Sequence, residues 1–166
     1  VFVTATTDLP TRLLDELRGE AERAGVFGEI TLRDGLLACR AKDAAEEAWY
    51  QVAIDGGRVV VRLVTPNRWL SESIESDLMH YGDPLEELVE EELVELGHDA
   101  QRDGPVAPVK HFRSEDRLYT FESVVPLDAA LTSGDAAQAR SLATRYLLAY
   151  EAAFRKLGDM AGGDDE

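Results

Sequence analysis

The sequence predicts an α+β fold, an antiparallel β-sheet with helices packed against it, in the order helix–strands–helix–strands–helix. Three observations lead there. "AWYQVAIDGGRVVVRLVT" and "KHFRSEDRLYTFESVVPL" each alternate apolar and polar residues on both sides of a turn. Connections this short join antiparallel strands, because parallel strands need long crossovers. Before, between and after these segments, apolar residues recur at helical spacing instead.

The first helix starts at Asp8-Leu-Pro10 and carries Leu13, Leu14, Leu17, Ala21 and Ala24 on one stripe, which Gly25 ends. In "GEITLRDGLLACRAKD", Asp34-Gly35 between apolar runs marks a turn. The central hairpin pairs residues 49–54 with 58–64 and turns at Asp55-Gly56-Gly57; Tyr50, Val52 and Ile54 share one face, as do Val59, Val61 and Leu63. Pro66 closes it, having no amide hydrogen for a ladder. A short helix near residues 72–79 breaks at Gly82. The next has the form of a capping box, with Asp83 as N-cap, Pro84 at N1 and Glu86 at N3. Its apolar stripe is Leu85, Leu88, Val89, Leu93 and Leu96, followed by Gly97. After the loop "DGPVAPV" and the second hairpin, Ser133 caps the last helix. Its stripe runs from Ala139 through Leu142, Ala143, Tyr146, Leu147, Tyr150, Ala153 and Phe154 to Leu157. One domain over residues 1–158 and a flexible acidic tail over 159–166 are expected, with no internal repeat and no linker.

Composition narrows the function. The net charge of −16 disfavours nucleic acid and anionic membrane as partners, since both are bound through Lys and Arg. No apolar run reaches the roughly 18–20 residues of a membrane helix, and no signal peptide is visible. The single cysteine, Cys39, has no partner within the chain and points to a reducing, cytoplasmic setting.

Most of the charge sits in one place. Residues 71–103 hold twelve acids and one base, Arg102. A metal-dependent or carboxylate-based enzyme could use this segment, because Glu95-Leu-Gly-His98 matches Glu-x-x-His and Asp77-Leu-Met-His80 nearly does. Gly97 interrupts the first match at the expected helix end, and di-metal bundles need four long helices. The leucine and valine stripe turns the glutamates outward, toward solvent. The like-charged pairs Glu87/Glu91 and Glu91/Glu95 then cost roughly 0.2–0.5 kcal/mol each, against roughly 1.5–3 kcal/mol gained per buried stripe residue. No metal, cofactor or catalytic residue is expected.

Other candidates are weak. Cys39 lies in an apolar strand with no histidine nearby, as a core cysteine does. His80, His98 and His111 fall on three separate elements. There is no Walker A sequence, Gly-x-Gly-x-x-Gly, Gly-x-Ser-x-Gly or Cys-x-x-Cys. Trp49 and Trp69 flank the central hairpin, and aromatics at sheet edges are places where partners dock.

With that element order on Leu13–Ala24, "WYQVAIDGGRVVVRLV", the middle helical segment, "HFRSEDRLYTFESVVPL" and the last helix, the chain resembles the type III secretion chaperone fold. It is also similar to the YbjN family, described as sensory transduction regulators. The resemblance implies a non-enzymatic homodimer that holds an extended segment of another polypeptide. The expected partner-binding residues are Trp49, Trp69, Ile74 and Leu78.

Overall fold

The computed structural model describes residues 3–82 and 84–161. It is an α+β fold with one six-stranded antiparallel sheet in the order β1-β2-β3-β4-β6-β5. Helix α1 (Val3–Ala24) precedes strands β1 (Phe27–Arg33), β2 (Leu36–Ala41), β3 (Trp49–Asp55) and β4 (Arg58–Thr65). Helices α2 (Arg68–Tyr81), α3 (Leu85–Glu95) and the short α4 (Ala100–Asp103) follow. Strands β5 (Lys110–Arg113) and β6 (Tyr119–Val124), helices α5 (Asp128–Ser133) and α6 (Ala136–Arg155), and a 3-10 turn at Gly158–Ala161 complete the chain.

The hairpins form where glycine permits them. Asp34 and Gly35 both have positive φ, as do Gly56 and Gly57, so each turn has two residues with a twist that matches its strands. Asp55 therefore stays in β3, paired with Arg58. Tyr50, Val52 and Ile54 lie opposite Leu63, Val61 and Val59. Strand β6 pairs with β4, leaving β5 as one edge and β1, with its irregularity between Phe27 and Ile30, as the other.

The helix-packed core lies on one side of the sheet. Leu13, Leu14 and Leu17 of α1 meet Leu37, Cys39, Tyr50, Val52, Val61, Leu63 and Phe121 from the strands, with Tyr146, Tyr150 and Phe154 of α6 between them. The two buried tyrosine hydroxyls of α6 find partners: the Ser123 and Tyr150 hydroxyls are 2.6 Å apart, and the Ala107 amide donates to the Tyr146 hydroxyl at 3.1 Å.

Several boundaries depart from the sequence expectation. Helix α1 begins at Val3 rather than beside Pro10, which lies two turns inside it, where it has no amide hydrogen for the intrahelical ladder. Helix α2 begins at Arg68 rather than residue 72, because Asn67 Oδ1 accepts the Leu70 amide at 2.8 Å and caps it. Asp83 lies outside the described residues. Pro84 is the N-cap of α3 rather than its first helical residue, and Glu86 accepts the Val109 amide at 2.9 Å. Asp135, not Ser133, caps α6: its Oδ1 takes the Gln138 amide at 3.0 Å, while Ser133 ends α5. Of the expected flexible tail, residues 159–160 pack on α2, and residues 162–166 lie outside the described residues. Met160 is buried, the Gly158 amide donates to Asp77 at 2.6 Å, and the Asp159 amide donates to Ser73 Oγ at 3.1 Å.

Candidate partner-binding site

The four residues expected to bind a partner do not come together. Ile74 is 0% exposed and belongs to the core with Leu70; it cannot touch a partner. Leu78 is half-buried against the same core. Residues 70, 74 and 78 form the inward stripe of α2, so the apolar pattern that drew attention to Ile74 and Leu78 is the one that buries them. Trp69 is on the opposite side, 74% exposed. Trp49 lies on the sheet, half-buried, with the Arg40 guanidinium 5.7 Å over its ring and its indole N–H donating to Glu47 at 2.9 Å.

Trp49 leads to a larger feature. Side chains alternate across a strand, so the residues that do not face the core face the other way. On that second face the register aligns Leu36, Ala53, Val60 and Val124 in one row across β2, β3, β4 and β6. A second row is Ala38, Gln51, Arg62, Glu122 and Lys110, and a third is Arg40, Trp49, Val64, Thr120 and Phe112. None of these residues belongs to the helix-packed core cluster. The second face is thus uncovered by helices among the described residues.

A groove of about 410 Å³ runs on this face, lined by Leu36, Gln51, Arg62, Val64, Phe112 and Leu118, among others. Its floor is polar at one point: Arg62 Nε donates to Glu122 at 2.7 Å, and its Nη2 lies 3.7 Å from Asp55. The arginine and glutamate stems cover apolar strand residues, which leaves Ala53, Val60, Val64 and Thr120 buried without a helix above them. Such a surface offers apolar strips, hydrogen-bonding heads and the exposed edge strand β5 together.

The acidic segment is divided among several tasks. Leu85, Val89 and Leu93 of α3 are buried and Leu88 is partly so, but Leu96, expected on the same stripe, is 39% exposed at the helix end. Glu87, Glu90, Glu91 and Glu95 face solvent. Glu92 pairs with Lys156, and Asp77 holds the Gly158 amide. Glu95 and His98 do not share a face. Gly97, at φ +99°, turns the chain between them, and His98 is buried edge-on to Tyr146. Its Nε2 donates to the Gly104 carbonyl at 3.0 Å. Among the described residues no group of three or more His, Cys, Asp and Glu side chains converges as a metal site does.

Two interactions had no signal in the sequence. Asp103, buried, accepts from Arg102 at 2.7 Å, Arg145 at 2.9 Å, the Asp99 amide at 3.0 Å and Gln138 at 3.2 Å. The Arg102 hydrogen bond, against the opposing effect of burial and helped by the Asp99 amide and Arg145, holds its carboxyl well below the usual carboxylate range. Its acceptor positions are filled, so it ties elements together and is no free base. His111 stacks on Phe121 with ring centroids 3.9 Å apart, and its Nδ1 lies 2.8 Å from Glu75. Burial lowers its pKa, with Glu75 opposing.

The chain matches no protein-family model, no curated protein and no solved structure. No described helix is long and apolar enough to cross a membrane.

Proposed function

We propose that this protein is a non-enzymatic binding module that holds a segment of another polypeptide against the uncovered face of its sheet. The observation that carries this reading is the one-sided core: every helix that packs on the sheet packs on the same face, and the other face presents the groove beside Phe112 and Leu118. An extended segment there gains apolar contacts from Leu36 and Phe112, and hydrogen bonds from Gln51 and the Arg62–Glu122 pair. The resemblance in element order to secretion chaperones and YbjN-type regulators supports the same reading. A lone buried thiol fits the cytoplasm.

The test places a photo-crosslinking amino acid at Gln51 on the uncovered face and, separately, at Glu90 on α3. The adduct from Gln51 is identified, and the joined segment is synthesised as a peptide. That peptide should bind the purified protein and lose most of its affinity when Ala38→Glu and Phe112→Glu are introduced. Adducts from Glu90 alone, or a peptide indifferent to both substitutions, remove the sheet face as the site.

A further inference from the structure

We infer that the cleft where α1, α6 and the α3–α4 junction meet binds a small phosphomonoester with an apolar body. The cleft holds about 660 Å³, in the range of small-ligand sites. Arg102, Arg140 and Arg145 all line it, with Ser141 and Thr144 of α6, and Glu20 of α1 is the one acid in its lining.

This gathering of cations runs against the composition, in which acids outnumber Lys and Arg by 33 to 17. Three guanidinium groups on one cleft repel one another unless anions answer them. Asp103 answers two, accepting from Arg102 at 2.7 Å and Arg145 at 2.9 Å. Arg140 is answered only loosely. Glu16 stands 3.7 Å and Glu20 4.0 Å from it, beyond hydrogen-bonding reach, and Glu20 is already held by Arg23 at 2.8 Å. The Arg140 fork therefore keeps its donors for another acceptor.

Further donors border the same space. Residues 138, 141, 145 and 148 recur three and four positions apart and share one face of α6, with Arg140 and Thr144 one turn apart beside them. Ser141 is exposed; its hydroxyl accepts from Arg145 Nη2 at 3.3 Å and keeps its own proton for a ligand. Thr144 Oγ1 is closed to water and has no hydrogen-bond partner among the described residues, and a staggered step in χ1 lets a ligand satisfy it. Arg102 comes from α4. Donors on two helices suit a tetrahedral head, whose oxygens point several ways; the two oxygens of a carboxylate lie in one plane and suit a single arginine. Leu96, exposed at the end of α3, and Leu148 give the cleft an apolar wall. A bare phosphate leaves that wall wet, so the ligand carries an organic body.

Phenyl phosphate, inorganic phosphate and benzoate, each titrated to about 10 mM into the isotope-labelled full chain, test this through amide shifts in NMR spectra. Phenyl phosphate should bind with a millimolar or tighter dissociation constant and shift residues 96–102 and 138–148 together. Inorganic phosphate and benzoate should each bind about fivefold more weakly or worse. Arg140→Gln should weaken phenyl phosphate by about tenfold. Ser141→Asp, which sets a carboxylate where the phosphate belongs, should abolish its binding. Neither side chain is buried, so circular dichroism should show the fold unchanged. Arg58→Gln, at the turn of the central hairpin, removes the same charge elsewhere and should change nothing. Failure of phenyl phosphate to bind overturns the inference, as does binding that survives both Arg140→Gln and Ser141→Asp or that Arg58→Gln weakens equally. Benzoate bound as tightly as phenyl phosphate overturns the phosphate head, and inorganic phosphate bound as tightly overturns the apolar body. The cleft belongs to the helix layer and shares no residue with the groove beside Gln51, so either reading can fail alone.

Discussion

The Asp103 carboxylate lies 2.9 Å from the Arg145 guanidinium, 42 positions along the chain, and both side chains are nearly closed to water. This pair fixes the end of the acidic segment to the last helix. Removing one partner leaves the other charge buried and unmatched. Asp103→Ala should therefore destabilise the protein by about 3–5 kcal/mol, read from urea unfolding. A loss below about 1 kcal/mol would mean that water reaches the pair.

The same carboxylate makes stability depend on acid. Its folded pKa is depressed below the ordinary value of 3.8, so its contribution is fully present above that value. It is lost as pH falls through 3.8 toward the lower folded value. Stability of the wild type should drop over that window, and the difference between wild type and Asp103→Asn should shrink there. A difference that stays constant from neutral pH to the acid limit contradicts the assignment.

His111 acts in a higher window. Its folded pKa is lowered from 6.5, chiefly by burial, so the neutral ring is favoured in the fold. The stability it contributes is complete above 6.5 and declines as pH falls through 6.5 to the folded value. His111→Phe keeps a ring on Phe121 and removes the titration. Its unfolding free energy should be flatter than wild type across that range; an unchanged slope assigns the dependence to other groups.

Cys39 is fully buried, and burial pushes its thiol up to about 12. Ellman's reagent at mildly alkaline pH should label it only as the protein unfolds, with a rate that rises with urea. Labelling of the native protein at the rate of a free thiol would place Cys39 at a surface.

On α3, Glu91 stands one turn from both Glu87 and Glu95, and all three face solvent. Glu91→Lys turns two repulsive pairs into attractive ones and should raise stability by about 0.5–1 kcal/mol. The gain should fade in about 1 M salt. A gain that survives such salt would have a cause other than charge.

What the sequence disclosed follows the range of the forces involved. Asp34-Gly35 and Gly56-Gly57 are legible because positive φ at two adjacent residues is a local demand that few residues meet. The α6 stripe from Ala139 to Leu157 is legible because a whole helix face repeats it. Helix starts are harder. Ser133 and Asp135 are both capping residues, and only the short α5, with Gly134 at φ +74°, decides between them. The candidate site was half legible. Trp69 and Ile74 are both large and apolar, but only Trp69 is off the 70–74–78 stripe, and Met79 is off it by the same geometry. The uncovered sheet face was hidden because Val60 and Val64 make β4 read as apolar on both sides. No local pattern foretells which side the helices choose. The Asp103–Arg145 pair left no trace for the same reason, since its members meet only after the chain has folded back.

Gly158 meets α2 so closely that a Cβ there would stand 2.4 Å from Ser73 Oγ and 2.7 Å from the Ile74 amide nitrogen. Its amide reaches Asp77, 81 positions earlier. During translation α2 leaves the ribosome long before the turn that closes over it, and β4 likewise waits for β6. For that interval Ile74 and the strand edge are open to whatever is nearby. Any agent that shields nascent chains has its target here, and Gly158→Ala should lengthen the exposure, because the turn could no longer seat itself against the helix.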